Sequence, residues 1–204
     1  MNLKTSIRIE ARLVLTSALH IGATGAQGAG LSHAPTARGG FKDRPYIPGS
    51  SLKGRLRTLL NGVDLRRAMR HAPDPLAALF GAPDLRGALS FWDCPLDADW
   101  ADAREADGLP ITEIRGELQA RRGAVTRLQE VVTPGATFVF RLGLAARHAD
   151  GLPPVLAGLR LMEWEGLGAG TSRGMGRVRF ADLTVDGRAS DALDNRTGRT
   201  DGLA

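Results

Sequence analysis

Cysteine is almost absent from this sequence: Cys94 is the single one in 204 residues. A disulfide needs two and a multi-cysteine zinc site more, so both are excluded within the chain, and the usage fits a reducing cytoplasm. Lysine is scarce as well, standing only at Lys4, Lys42 and Lys53. Aromatic residues make up 5% of the chain, too few to supply the stacking aromatics of an ordinary RNP-type RNA-binding module. No run approaches the ~18 apolar residues of a membrane span. The opening residues show no apolar stretch followed by a small-residue cleavage site, so the expectation is a cytoplasmic protein with no membrane partner. There is no G-x-x-x-x-G-K-[ST] anywhere, which removes P-loop nucleotide hydrolysis.

What is present is arginine. The formal net charge is +5 and the isoelectric point about 10.3. Guanidinium forks match phosphate oxygens and stack on bases, so a polyanionic partner is favoured. An arginine-rich proteome would leave the same balance, and charge alone does not choose between them. Hydrophobic residues make up 43% of the chain, enough for one domain with a real core.

"SIRIEARLVL" (Ser6–Leu15) alternates as a half-buried strand, with Ile7, Ile9, Ala11, Leu13 and Leu15 on one face. Gly22–Gly40 is rich in small and polar residues and reads as a long mobile loop. "PYIPGSSLKGRLRTLL" then opens a helix that Ser50 or Ser51 can cap, with Leu52, Leu56, Leu59 and Leu60 as its buried stripe and Gly62 at its end. "DLRRAMRHA" and "DPLAALFG" predict two short helices, the second capped by Asp74 with Pro75 in its first position. "GALSFWDC" predicts a strand, and Pro95–Gly108 an acidic surface loop. "ITEIRGEL" and "EVVTPGATFVFRLGL" predict strands on either side of "QARRGAVTRLQ", with Pro134 and Gly135 supplying a turn. "LPPVLAGLRLMEWEGLG" fits a helix and "GRVRFADLTV" a last strand. The stretch 186–204 is polar and aromatic-free and predicts a disordered C-terminal tail. The order β–α–β–β–α–β is that of a ferredoxin-like or RRM-like core carrying insertions, an α+β fold.

Three stretches could meet a polyanion. Gly49, Ser50, Ser51, Lys53, Arg55 and Arg57 put hydroxyls and cations on the first turns of a helix, a ready phosphate site or simply a solvated face. "GLGAGTSRGMGR" brings Gly168, Gly170, Thr171, Ser172, Arg173 and Gly174 into one loop whose amides can approach an anion. It is not a dinucleotide fingerprint, because it leads into a strand. A helix C-cap and turn would need only two of its glycines. Arg121, Arg122 and Arg127, with Arg115, lie between two strands, either in an exposed loop or on a hairpin that follows a nucleic-acid backbone. Of the four histidines, His20 reads as structural and His71 and His148 as surface residues, while His33 in "LSHAPTARGG" is placed to reach a ligand. None has a partner at metal-ligand spacing.

Taken together, "LHIG", "IPGSSLKG", "LFG…LSFWDC", "TEIRGELQARRGAVTRLQEVV" and "LGAGTSRGMGRVRF" resemble the RAMP superfamily of CRISPR proteins, most closely the backbone subunits of type III (Csm/Cmr-like) effector complexes. The resemblance covers about Ile7–Val185 and implies a modified RRM domain over residues 1–185. It carries a loop and helical insertion at about 22–86 and a protruding β-hairpin thumb at about 115–135. It also implies copies stacked in a filament along a guide RNA, with complementary target RNA and other effector subunits as partners. Gly49–Arg57 and Gly166–Gly176 would grip the guide backbone, and Gln119–Gln129 would be the thumb.

One departure stands out. Cleaving members carry an aspartate two residues before a proline in the loop ahead of "IPGSSLKG", and here that position is His33. Imidazole does not replace a carboxylate as a hard oxygen ligand for Mg²⁺, and Asp43 is the only acid between Gly22 and Arg44. The expectation is therefore a subunit that binds guide and target without the usual aspartate-dependent cleavage, with Mg²⁺ implied only if cleavage occurs. The alternative is a metal-independent endoribonuclease using His33 as general acid or base. A stand-alone nuclease that processes CRISPR transcripts is a weaker fit, since such relatives usually have two tandem RRM-like domains and lack the "PGSSLKG" helix.

Overall fold

The computed structural model describes residues 5–22, 33–34, 36–39, 44–120 and 123–193, with the side chains at 33–34, 105, 115–120 and 123–127 outside the described set. The alternating run forms β1 (Ser6–Leu15), whose Ile9, Ala11, Leu13 and Leu15 are buried. Short strands β2 (His33–Ala34), β3 (Arg38–Gly39) and β4 (Arg44–Ile47) lead into α1 (Gly49–Asn61). After α2 (Pro75–Phe80) come β5 (Leu89–Phe91), β6 (Cys94–Pro95) and α3 (Ala98–Asp102). A long hairpin of β7 (Ile111–Ala120) and β8 (Gly123–Val132) precedes β9 (Thr137–Ala145), α4 (Leu152–Glu165), β10 (Val178–Val185) and β11 (Arg188–Ala189).

Among the described residues, the main sheet runs in the order β11-β10-β1-β9-β5, with every neighbouring pair antiparallel. Period-two patterning sends Phe138, Phe140, Leu142 and Leu144 of β9 to the same face as the apolar residues of β1. The apolar stripes of α1 (Leu52, Leu56, Leu60) and α4 (Val155, Leu159, Met162) belong to the same core. Burial of that many leucine-sized side chains contributes roughly 1.5–3 kcal/mol each relative to exposure, which makes this layer the main source of stability. The opposite sheet face carries exposed charges, including the Arg12–Asp182 pair at 2.5 Å. A β-bulge between Glu10 and Arg12 accompanies Asp182 at φ 53°, and it shifts the buried positions of β10 from Phe180 to Leu183.

Several expectations are corrected. The helix α1 begins at Gly49 with Pro48 at its N-cap, so neither Ser50 nor Ser51 caps it. "DLRRAMRHA" yields only a 3-10 turn at Leu65–Arg67, closed by Asp64 and followed by Pro73. The strand expected over 87–94 breaks into β5 and β6 at Trp92 and Asp93, where Asp93 accepts the Gly49 amide at 2.8 Å instead of continuing the sheet. Within the expected acidic loop, Asp97 accepts the Trp100 amide and starts α3. Within the expected tail of 186–204, Asp186 and Gly187 turn the chain into β11 and Leu193 is buried, so 186–193 are part of the fold, while 194–204 lie outside the described residues. The Asp74 cap and Pro75 start of α2 are as expected.

Candidate nucleic-acid interface

The first helical amide of α1 is already partnered. Gly49 N donates to Asp93 Oδ1 at 2.8 Å, so an internal carboxylate stands where a phosphate was expected. Ser50 is exposed and Ser51 half-buried beside it. Farther along the helix the cations separate. Arg55 Nε donates to the carbonyl of Gly166 at 2.8 Å and its Nη2 to that of Glu165 at 3.0 Å. It thereby satisfies the C-terminal carbonyls of α4, a structural task. Lys53 and Arg57, one helical turn apart, are exposed and have no hydrogen-bond or ion-pair partner among the described residues.

The glycine loop is explained from within. Gly166, Gly168, Gly170, Gly174 and Gly176 all have φ between 70° and 82°. A Cβ on Gly176 would lie 1.8 Å from the Leu167 carbonyl oxygen, and one on Gly168 would lie 2.4 Å from that of His20. The loop thus folds onto the segment that follows β1, with Ala169 N donating to His20 O at 3.0 Å and Gly176 N to Ala18 O at 2.8 Å. Ser172, Arg173 and Gly174 are exposed at its tip, while Gly170 and Thr171 are half-buried. The side chain of His20 is buried and structural, its Nδ1 lying 2.7 Å from the Glu130 carbonyl oxygen.

The segment ahead of α1 is pinned rather than loose where it is described. β2 pairs in parallel with β8, His33 opposite Leu128 and Ala34 opposite Gln129. Just beyond, the Glu130 carboxylate accepts the Thr36 amide at 3.0 Å and pairs with Arg38 Nη2 at 2.6 Å. Ala37 N donates to Ile21 O at 2.7 Å. Glu130 is buried, so its two charge-assisted bonds are strong ones and hold the hairpin foot, the end of β1 and the His33 segment together. Residue separations of 92 and 94 hid this clamp from sequence reasoning. Its only sequence signal was a lone acid entering an apolar strand.

The arginines of the hairpin are placed only in part. Arg127 sits on β8 opposite Gly116, while Arg121 and Arg122 lie outside the described residues. Burial pushes the Cys94 thiol up to about 12, so it stays protonated and unreactive at neutral pH. Among the described residues no three His, Cys, Asp or Glu side chains gather so as to hold a metal ion, and no helix is long and apolar enough to cross a membrane.

The RAMP superfamily model matches residues 12–179. The chain belongs to the RAMP superfamily. This RAMP chain is 33% identical over 218 residues to the CRISPR system Cms endoribonuclease Csm3 of Mycobacterium tuberculosis, with 92% of this chain and 91% of that protein covered. It is 33% identical over 197 residues to the protein of the same name from Streptococcus thermophilus, with 87% and 88% covered. Among solved structures, a chain in the cryo-EM structure of the type III-B Cmr-beta complex bound to cognate target RNA matches with a TM-score of 0.64. At 18% identity that match speaks for the fold, a mixed α/β architecture on an antiparallel sheet. It covers 89% of the RAMP chain, which in turn spans 61% of that chain's length.

Proposed function

We propose that this RAMP chain is an RNA-binding backbone subunit of a type III-like CRISPR ribonucleoprotein. Copies stack along a guide RNA in the cytoplasm, position complementary target RNA and meet other effector subunits. Its core is read as RRM-like, because β1–α1–β5–β9–α4–β10 with sheet order β10-β1-β9-β5 follows the split βαβ pattern. The β7–β8 hairpin is read as the thumb. The observation that carries the RNA-binding role is the pair Lys53 and Arg57, exposed and without a partner among the described residues, on the helix of a chain 33% identical to Csm3 proteins. The tip of the glycine loop, with Arg173, supplies a second contact.

Cleavage by the aspartate-dependent route is absent from this proposal. His33 offers imidazole where a hard oxygen is needed, and the Glu130 carboxylate nearby is taken up by Arg38 and Thr36. Asp43, the one acid between Gly22 and Arg44, lies outside the described residues. A second reading, metal-independent cutting with His33 as general acid or base, draws support from the parallel pairing that sets His33 on the hairpin foot.

Both parts are testable. The purified chain should bind single-stranded RNA without sequence preference, and Lys53→Ala with Arg57→Ala should flatten the salt dependence by about 1.4, at about 0.7 per phosphate contact. An unchanged slope would remove the binding proposal. Reconstituted complexes carrying wild type, His33→Ala or His33→Asp are then assayed on target RNA with Mg²⁺ and with EDTA. Cutting gained by His33→Asp only with Mg²⁺ supports the inert assignment. Cutting by wild type in EDTA that His33→Ala abolishes establishes the second reading instead.

A further inference from the structure

Beside the exposed face of α1 lies a shallow depression of about 540 Å³, lined by Lys53, Arg57, Phe80 at the end of α2 and, from the turn that follows, Pro83, Leu85 and Arg86. Its size is ample for one nucleotide. Like the two cations of α1, Arg86 has no hydrogen-bond or ion-pair partner among the described residues. Asp84 of the same turn does not line the depression, so the lining carries three positive charges and no negative one. Leu85 is 49% exposed, an apolar side chain left on the surface next to that charge.

The turn that presents Arg86 is built, not slack. Ala82 and Leu85 exchange backbone hydrogen bonds at 2.9 and 3.0 Å, and Gly81 N closes α2 onto Ala77 O at 2.8 Å. The chain at Gly87 passes so close to α2 that a Cβ there would lie 2.5 Å from the Phe80 carbonyl carbon. Ala88 N then returns to Ala78 O at 2.8 Å. On such a fixed turn the backbone loses little freedom on binding, so the ordering cost is confined to the Arg86 side chain.

We infer that Arg86 is a further RNA contact: with Lys53 and Arg57 it holds a backbone phosphate of single-stranded RNA, while Leu85 and Pro83 cover the attached sugar or base. The inference rests on the RNA-binding reading of α1 and extends it to a second element. Three cations and no carboxylate in the lining, beside half-exposed apolar side chains, suit a phosphate with its attached sugar or base, and an acidic protein segment is the alternative that the test separates.

The test measures binding of a fluorescent oligouridylate to the full chain across a salt series, for wild type, Arg86→Ala, Arg86→Lys and the Lys53→Ala/Arg57→Ala pair. Arg86→Ala should reduce the log–log salt slope by about 0.7, which is about fivefold in affinity per tenfold change in salt, and Arg86→Lys should restore the slope. Arg86→Gln, with an unchanged melting temperature, serves as the folding check. If the α1 pair weakens binding while the Arg86 variants do not, the inference falls and the RNA-binding reading stands. If none of them alters the slope, both fall. If poly-glutamate binds in an Arg86-dependent way and oligouridylate does not, the depression faces protein and the inference is overturned.

Discussion

The glycine loop over Gly166–Gly176 and the outer face of α1 present the same residue chemistry, small residues beside arginines, yet the fold uses them in opposite ways. In the loop, a Cβ on Gly166, Gly168, Gly170 or Gly176 would come within 3.0 Å of a neighbouring atom. Amides bonded to the segment after β1 hold the base, so packing accounts for the base while Arg173 stays exposed at the tip. On α1, Arg55 is drawn inward to cap α4 while Lys53 and Arg57 have no partner among the described residues. Glycine richness therefore reports how tightly backbones approach, whereas an exposed cation with no internal partner reports surface left for something else. Being basic is shared by both regions and discriminates between neither.

The sharpest way to break this contrast is to substitute the glycines. Gly176→Ala sets a Cβ 1.8 Å from a backbone oxygen at φ 70°. It should cost roughly 3–5 kcal/mol in urea unfolding or prevent folding outright. Gly174→Ala has φ 82° but nothing within 4 Å, and should cost only about 1 kcal/mol. Equal, small losses at both positions would mean that packing does not dictate the base of the loop. Next in size is Glu130→Gln, which leaves Arg38 without its carboxylate in a largely buried place and should cost about 2–3 kcal/mol. Retained stability would show that the clamp at the hairpin foot is decorative.

Arg55→Ala and Lys53→Ala form the closest paired comparison, two residues apart on one helix. Arg55→Ala should lower stability by about 1 kcal/mol, through the exposed C-terminal carbonyls of α4, with the RNA salt slope unchanged. Lys53→Ala should do the reverse: no change in the urea midpoint and a slope shallower by about 0.7. If Arg55→Ala also flattens the slope, the division of α1 into an inward and an outward cation is wrong.

Local signals carried most of the fold. The alternation of β1, the Asp74–Pro75 start of α2, the leucine spacing of α1 and the Pro134–Gly135 turn each act over a few residues, and each is found where expected. The site was less legible because its decisive contacts join distant residues: Asp93 to Gly49 across 44 positions, Glu130 to Thr36 across 94 and Arg55 to Gly166 across 111. No periodicity encodes which arginine will find a carbonyl. The misplaced cap of α1 has the same origin, since Asp93, arriving from another strand segment, holds the amide end that Ser50 or Ser51 was expected to serve.

The smallest effect concerns the edge of the sheet, far from the cations. Glu163 of α4 accepts the Phe180 amide of β10 at 2.7 Å, and burial raises its carboxyl above the ordinary 4.5 despite that bond and the nearby Arg160 and Arg179. Below pH 4.5 the group is protonated in both folded and unfolded chains, so it adds no slope there. As pH rises through 4.5 the unfolded chain ionises first and the folded chain resists, so stability falls until the folded group has also ionised. Glu163→Gln keeps an acceptor for the Phe180 amide but removes the titration. The stability of wild type relative to this variant should therefore decline as pH rises from that point and then level off, read as urea midpoints over a pH series. A difference that grows with pH would mean that the hydrogen bond and the flanking arginines, rather than burial, set the charge of Glu163. In that case the β10 edge would be held by an ion the fold favours and not by one it tolerates.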